Sequence, residues 1–486
     1  MKIYIINNTF HYEMENLTRV FFPNEKIEII KCTAVPQDAL DSPYVATSVE
    51  SADNYSRLSV QTVFDDFSKN ITQQVEYVED TEEYQTELER TMAVCLYKLL
   101  SEYTGLTPPW GILTGVRPIK LFRKMAESMG TENAKRHFRD KFLVSEEKVQ
   151  LAEETEKNEQ AILRTSSVNS YSLYVSIPFC PSRCSYCSFI SQATLKAKKL
   201  IEPYVELLCR ELEETAKIVK GKKLKLETVY IGGGTPTTLN AQQLERLIAT
   251  INRCFPMEQC REFTVEAGRP DTITENKLKA ILNGGADRIS INPQTMNDTV
   301  LEAIGRKHTA QQTIEAYRLA RAVGFNHINM DLIVGLPKDN LENFENTLNT
   351  ITELDPESIT VHTLSMKRSS NLTIQGVKIM KQDADTASAM HTYCKGLLES
   401  RGYHPYYLYR QSRMVGNLEN IGYSKPGKDG LYNVFIMDET HTILGCGAGA
   451  VTKLKNGTTG SLSRVFNYKY PDWYVNDFDE ILRRKE

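Results

Sequence analysis

Residues Tyr174 to Phe189 read YVSIPFCPSRCSYCSF, and the spacing of Cys180, Cys184 and Cys187 within them decides how the rest of the chain is read. The three thiols fall within eight residues in a C-x3-C-x2-C pattern. A thiolate is a soft ligand, and a loop this short brings all three sulfurs within reach of one metal centre. Structural zinc is the first rival, but such sites usually pair one C-x2-C knuckle with a second Cys or His pair to reach four protein ligands. Cys32, Cys95, Cys209, Cys254, Cys260, Cys394 and Cys446 are scattered, and Cys254 and Cys260 flank a proline with no histidine nearby. An iron–sulfur cubane on three thiolates fits better, because its fourth iron keeps a coordination place for another ligand. The bland alternative is three structural cysteines that meet by chance.

The chain around this loop has 486 residues, 41% of them hydrophobic, enough for two or three domains with a sizeable core each. A net charge of −4 provides no global basic field, so nucleic acid is not favoured as a partner. The N-terminus, MKIYIINN, is too short in apolar residues for a secretory leader, and no stretch approaches the roughly 20 apolar residues of a membrane span. The expected compartment is the cytoplasm, with the ten cysteines reduced or bound to metal rather than paired as disulfides.

Residues 1–170 read as an N-terminal α/β domain plus linker, with strands at Lys2–Ile6 and Lys26–Ile30. A helix is expected over Glu83–Tyr103, where Leu88, Met92, Cys95 and Leu99 share one face. The stretch TPPWGILTGVRPIKLF carries three prolines and two glycines and reads as an ordered loop. A charged helix over Glu146–Gln160 then leads into the polar linker RTSSVNS.

From Ser172 the pattern changes to strands alternating with helices, which argues for parallel strands joined by right-handed crossovers. Six strands are expected, at Ser172–Pro178, Glu227–Ile231, Glu262–Ala267, Arg288–Pro293, Asn326–Ile333 and Ser358–Ser365. The helix after the fifth is the clearest, with Leu341, Phe344, Leu348, Ile351 and Leu354 on one face. In barrels of parallel strands the active site lies at the carboxyl ends, and the metal loop follows the first of these strands. The other strand ends are suited to ligand binding as well. Gly232, Gly233 and Gly234 before Thr235 allow close backbone approach. Glu266, Gln294 and Asp331 place polar groups on the same rim, where a carboxylate can accept from ribose hydroxyls.

After Asn371 the rhythm changes again, and residues 371–486 read as a C-terminal α+β domain, leaving 171–370 as the central one. A helix is expected at Thr386–Ser400, then HPYYLYRQ supplies Tyr406, Tyr407, Tyr409 and Arg410. These rings and the guanidinium suit a flat tetrapyrrole with propionates, or an ordinary strand whose tyrosines pack. A hairpin is expected over Tyr432–Met437 and His441–Gly445.

The C-x3-C-x2-C loop, with Tyr186 before its last Cys, resembles the radical S-adenosylmethionine (SAM) superfamily. Within it, YVSIPFCPSRCSYCSF, GGGTP, TVEAGRPD, RISINPQ, GRKH and INMDLIVGLP resemble, in order, segments of the oxygen-independent coproporphyrinogen III oxidase (coproporphyrinogen dehydrogenase) family. NLENIGYSKPG resembles its HemZ-type subgroup. The resemblance implies a partial (β/α)6 barrel, in agreement with the six units counted. It implies a 4Fe-4S cluster on Cys180, Cys184 and Cys187, and one or two SAM molecules. Tyr174, Tyr186, Gly233, Gly234, Thr235, Glu266, Gln294, Arg306, Asp331, Ser365 and Val451 are then the residues around SAM. Arg306 could pair with a carboxylate through its two-pronged guanidinium.

The activity implied belongs to heme biosynthesis. Reductive cleavage of SAM provides a radical that abstracts hydrogen from a propionate β-carbon of coproporphyrinogen III, and loss of carbon dioxide and an electron leaves a vinyl group. Two rounds give protoporphyrinogen IX. A reductant protein such as flavodoxin or ferredoxin is the implied electron source. The better-known decarboxylases carry a further Cys two residues after the third ligand, whereas Cys187 is followed by Ser188 and Phe189. Heme chaperones of the superfamily also lack that Cys, so a heme-binding delivery protein is the second expectation.

Overall fold

The computed structural model describes residues 1–37, 43–76, 81–189 and 191–485. Two compact units are present: Met1–Glu154 with Lys378–Asp385 and Arg410–Glu419, and Thr155–Val377 with Thr386–Tyr409 and Asn420–Glu486. No helix among the described residues is long and apolar enough to cross a membrane.

In the first unit a five-stranded sheet runs in the order Glu28–Cys32, Lys2–Ile6, Tyr44–Ser51, Tyr55–Phe64, Phe67–Glu76. The first three strands are parallel and the last two antiparallel. The long helix spans Glu82–Thr104, started by the Thr81 hydroxyl, which accepts from the Tyr84 N–H at 3.2 Å, and ended by Gly105 at φ 65°. Its Leu88, Met92, Cys95 and Leu99 join Ile3, Val45 and Leu58 of the sheet in one core. The stretch expected as a loop becomes helical at Pro118 and runs to Met129, because proline at the first helical position forfeits no hydrogen bond. Buried polar groups also tie this unit together. Trp110 Nε1 and Lys148 Nζ each donate to the buried Glu419 carboxylate at 2.7 Å, one to each oxygen.

The second unit contains the six expected parallel strands, here β1 (Ser170–Ile177), β2 (Lys225–Gly233), β3 (Glu262–Glu266), β4 (Arg288–Ser290), β5 (Ile328–Val334) and β6 (Ser358–Thr363). Each pairs with the next in parallel register, for example Leu173 opposite Val229 and Val265 opposite Ile231. Helices Thr194–Val219, Ala241–Cys254, Glu275–Asn283, Ala310–Val323 and Leu341–Leu354 follow β1 to β5. In the last of these Phe344, Leu348 and Ile351 are buried, as the periodicity requires.

Strands from the C-terminal part extend this same sheet. Asn420–Ser424 pairs antiparallel with β6, followed by His404–Tyr409, while Thr442–Cys446 lies parallel to β1, followed by Val451–Lys455 and Leu462–Phe466. The eleven strands run from edge to edge without closing. The expected hairpin over Tyr432–Met437 and His441–Gly445 does not form: Leu431–Asp438 is a helix, and the strand after it pairs with β1. A short run that is apolar on nearly all sides does not discriminate helix from strand. Tertiary contacts decide it, since the Glu262 carboxylate accepts from the N–H groups of Leu431 at 2.6 Å and Tyr432 at 3.3 Å, both in the first helical turn.

Candidate functional site

Because β1 to β6 are parallel, their carboxyl ends lie on one rim, and the cysteine loop leaves that rim from β1. The loop is held by its neighbours' backbones. Phe179 and Cys180 pair with Gln192 and Ala193, and the Cys187 N–H donates to the Cys184 carbonyl at 3.2 Å. The glycine turn after β2 is bonded directly to the loop: Gly234 N–H donates to Ile177 O and Thr235 N–H to Phe179 O, both at 2.8 Å. A Cβ on Gly234 would stand 2.6 Å from Phe179 O and 3.0 Å from Cys180 Sγ, so only glycine permits this approach. Gly233 has φ 109°, and the Thr235 hydroxyl reaches Cys180 Sγ at 3.5 Å. The glycines expected to admit a ligand thus first admit the cysteine loop.

Two arginines stand beside the thiols. Arg269, only 3% exposed, places Nη1 3.7 Å from Cys184 Sγ and 3.3 Å from the Ser182 hydroxyl, and forms a two-pronged pair with Asp271 at 3.0 and 3.1 Å. Arg306 donates to Asn292 O at 2.5 Å and to the Tyr186 hydroxyl at 3.3 Å. Part of its fork is therefore occupied, while its Nε is buried without a partner among the described residues. Burial pushes the Cys187 thiol up to about 11, partly offset by the Phe189 N–H, so a metal is needed to hold it as thiolate at neutral pH. Among the described residues no three His, Cys, Asp or Glu are gathered tightly enough for a single metal ion. A cubane bound by one thiolate at each of three irons asks for a wider spread. Three thiols on one loop, a glycine cradle around Cys180 and cationic groups beside Cys184 fit an anionic iron–sulfur cluster.

Inside the barrel mouth, rings and carboxyl groups line the space next to this loop. Tyr230 stacks on Tyr432 with centroids 4.5 Å apart, and Tyr174 lies 6.3 and 6.2 Å from the two. The Tyr230 hydroxyl donates to Glu266 Oε1 at 2.6 Å. Burial, with Asp331 adding its charge, raises the Glu266 carboxyl to about 7 despite that bond. Burial would raise Asp331 too, but His362 at 3.7 Å and donors from Asn329 and Thr360 outweigh it and hold the group below its ordinary range. Gln294 adopts φ 70°, bonded on both sides to the end of β5, and its Oε1 is buried without a partner among the described residues. Such strain in a non-glycine residue costs about 1–3 kcal/mol and concentrates at functional sites.

The rim therefore brings together Cys180, Cys184, Cys187, Tyr174, Tyr186, Gly233, Gly234, Thr235, Glu266, Gln294, Arg306 and Asp331. Ser365 lies two residues beyond β6 on the same side, its carbonyl accepting from the Lys367 N–H at 2.9 Å. Val451 opens the strand after the Gly447–Ala450 turn, which sits over the end of β1, where the Ser176 hydroxyl donates to Ala448 O at 2.8 Å. Of the two readings of HPYYLYRQ, the structure has the ordinary strand, His404–Tyr409, with packed tyrosines rather than an open tetrapyrrole wall. Arg410 is 2% exposed and donates to Leu113 O and Asn417 O, and Tyr406 and Tyr407 are core residues. Sequence reasoning missed Arg269, Tyr230, Tyr432 and His362. Arg269 lies three residues after Glu266 and His362 near the end of β6, where the strand-end rule could have found them. Tyr432 enters from a distant helix and gave no local signal.

Residues 174–351 match the Radical SAM superfamily. Over 403 residues the chain is 40% identical to the oxygen-independent coproporphyrinogen-III oxidase-like protein HemZ of Bacillus subtilis, covering 82% of this chain and 80% of that protein. It is 31% identical to the heme chaperone HemW of the same organism over 61% of this chain and 74% of that one. The solved structure of coproporphyrinogen III oxidase (HemN) from Escherichia coli shares the fold, with a TM-score of 0.52 at 24% identity over 66% of this chain and 72% of that one. A 4Fe-4S cluster and SAM are the cofactors that superfamily membership implies. By the extent of its likeness to HemZ and by its barrel, the chain belongs to the coproporphyrinogen oxidase-like family of the radical SAM superfamily.

Proposed function

We propose that this protein is an oxygen-independent coproporphyrinogen III oxidase, converting propionate side chains to vinyl groups and yielding protoporphyrinogen IX. The observation that carries the reading is the 40% identity to a coproporphyrinogen-III oxidase-like protein across four-fifths of both chains. Cys180, Cys184 and Cys187 would hold the cluster, and the polar rim beside them would take SAM. Together the bound cluster and SAM supply the one-electron chemistry that removes a hydrogen atom from the substrate.

The chain's own residues position and shield that chemistry. Glu266 and Asp331 accept hydrogen bonds from a ribose, and Gln294 offers its unpaired carbonyl oxygen to a donor. The glycine turn through Gly233, Gly234 and Thr235 sets how closely the cluster loop approaches the rim. Arg306 and Tyr186 border the carboxylate side, with Ser365 and Val451 at the periphery. Tyr174, packed against Tyr230 and Tyr432, closes the barrel interior and keeps water away. Each propionate loses one hydrogen atom, one electron and carbon dioxide, so an electron acceptor must be present, and a flavodoxin- or ferredoxin-type protein serves as reductant. The cytoplasm, where thiols stay reduced, is the fitting compartment.

Anaerobic incubation of reconstituted protein with SAM, reductant and coproporphyrinogen III should yield vinyl products. Formation of deoxyadenosine without them would refute the substrate. A second reading, stable heme binding for delivery, is favoured by Ser188–Phe189 in place of the additional Cys and by the likeness to HemW. Under it, a heme titration followed by absorbance saturates while the decarboxylation assay stays blank.

A further inference from the structure

We propose that Arg269 sets the reduction potential of the cluster through Cys184, and that Asp271 counterbalances it. The inference rests on the reading of Cys184 as a cluster ligand. Arg269 leaves the chain three residues beyond β3 and turns its guanidinium toward the cysteine loop, where Nη1 lies 3.7 Å from Cys184 Sγ and 3.3 Å from the Ser182 hydroxyl. It is 3% exposed, so its charge acts where water screens poorly. The potential of an iron–sulfur centre follows net charge and hydrogen bonding at its sulfurs, and a cationic donor on a ligand sulfur favours the form with one more electron. That electron comes from an external reductant; Arg269 makes and breaks no bond.

Asp271 gives the arrangement a built-in opposing charge. Its two oxygens accept from Arg269 Nε and Nη2 at 3.0 and 3.1 Å, and His308 Nδ1 stands 3.9 Å from the same carboxylate. Arg306 also faces Cys184, but it donates to Asn292 O at 2.5 Å and to the Tyr186 hydroxyl at 3.3 Å, and it has no carboxylate partner among the described residues of the kind Asp271 provides for Arg269. Arg269 is thus a guanidinium that reaches the Cys184 sulfur while a carboxylate grips its far side, so its effect can be trimmed by Asp271.

Charge tuning makes the two single substitutions act in opposite directions, which a merely structural role does not. Reconstituted wild type, Arg269→Gln, Arg269→Lys and Asp271→Asn are titrated with dithionite and redox mediators, with iron content measured and the reduced cluster counted by electron paramagnetic resonance. At the potential where wild type is half reduced, Arg269→Gln should lower the reduced-to-oxidised ratio about tenfold, equivalent to 59 mV for a one-electron couple. Arg269→Lys, which keeps the charge, should restore most of the ratio, and Asp271→Asn should raise it severalfold. The inference is overturned if Arg269→Gln at full iron stays within twofold of wild type, or if Gln and Asn shift the same way. Where Arg269→Gln holds too little iron to titrate, Asp271→Asn decides: a raised ratio supports the proposal, and an unchanged or lowered one overturns it. Cys184→Ser separates the premise, because wild-type iron in that variant removes Cys184 from the cluster, whereas lost iron together with an unmoved ratio in Arg269→Gln defeats the tuning alone.

Discussion

Glu266→Gln should stabilise the cofactor-free protein at alkaline pH and leave it nearly unchanged at acid pH. Burial raises the Glu266 carboxyl from its ordinary 4.5 to about 7, so between these values the folded chain holds a proton that the unfolded chain has released. Stability then falls as pH rises through this window, because the native state binds more protons than the unfolded one. A displacement of about 2.5 pH units at about 1.36 kcal/mol each is worth about 3 kcal/mol at most. The side chain is half-buried at the barrel mouth, and screening there reduces the expected effect to about 2 kcal/mol. Glutamine keeps a carbonyl oxygen for the Tyr230 hydroxyl, which donates to Glu266 at 2.6 Å, and carries no charge to desolvate. Guanidinium unfolding followed by far-ultraviolet circular dichroism, run on both proteins at about pH 5 and about pH 8.5, reads the difference. The variant should match wild type within about 1 kcal/mol at the lower pH and exceed it by about 2 kcal/mol at the higher. A difference that does not change with pH would show that Glu266 is not desolvated as its place between Tyr230 and Asp331 requires. Equilibrium dialysis of SAM provides the counterpart: the stabler variant should bind it severalfold more weakly, since a neutral amide is a poorer acceptor for ribose hydroxyls.

Cys184→Ser should leave the far-ultraviolet spectrum intact while abolishing the brown cluster absorbance, because Cys184 lies in the loop after β1, outside the strands and helices of the barrel, and serine nearly matches its size. Gly234→Ala should cut cluster content at least severalfold after anaerobic reconstitution, since its Cβ would meet Phe179 O at 2.6 Å; full iron would show that the turn can yield. Lys148→Met leaves the buried Glu419 carboxylate with one fewer counter-group and should destabilise the first unit by about 3–5 kcal/mol in urea unfolding, with cluster absorbance unaffected. A loss below about 1 kcal/mol would mean that water replaces the lysine there.

The legible parts of the site share one physical property, that their signal is local. The six barrel strands appear within a few residues of their expected limits because strands buried on both faces are unbroken apolar runs between turn-forming residues. Cys180, Cys184 and Cys187 could be grouped because one short loop carries them all. Glu266, Gln294 and Asp331 could be assigned to one rim because parallel strands must end on the same side. The expected hairpin arm at Tyr432–Met437 is instead part of the helix Leu431–Asp438, because its helical state depends on Glu262, 169 positions away from Leu431 along the chain, accepting its first N–H groups. Arg410 could be read as a propionate partner because its acceptor Leu113 O lies 297 positions away and only folding brings it there.

Spacing and periodicity alone therefore determine the three-thiol loop, the existence of six parallel strands and the rim on which their polar ends meet, since each follows from residues close in sequence and from the handedness of parallel connections, whereas the partial barrel is what the family resemblance implies. Tertiary structure alone decides which charges stand beside which sulfurs. Arg269 and Cys184 are 85 positions apart, and only the packing of the turn beyond β3 against the loop after β1 brings a buried guanidinium to a thiol of the cysteine loop, in surroundings dry enough for its charge to count.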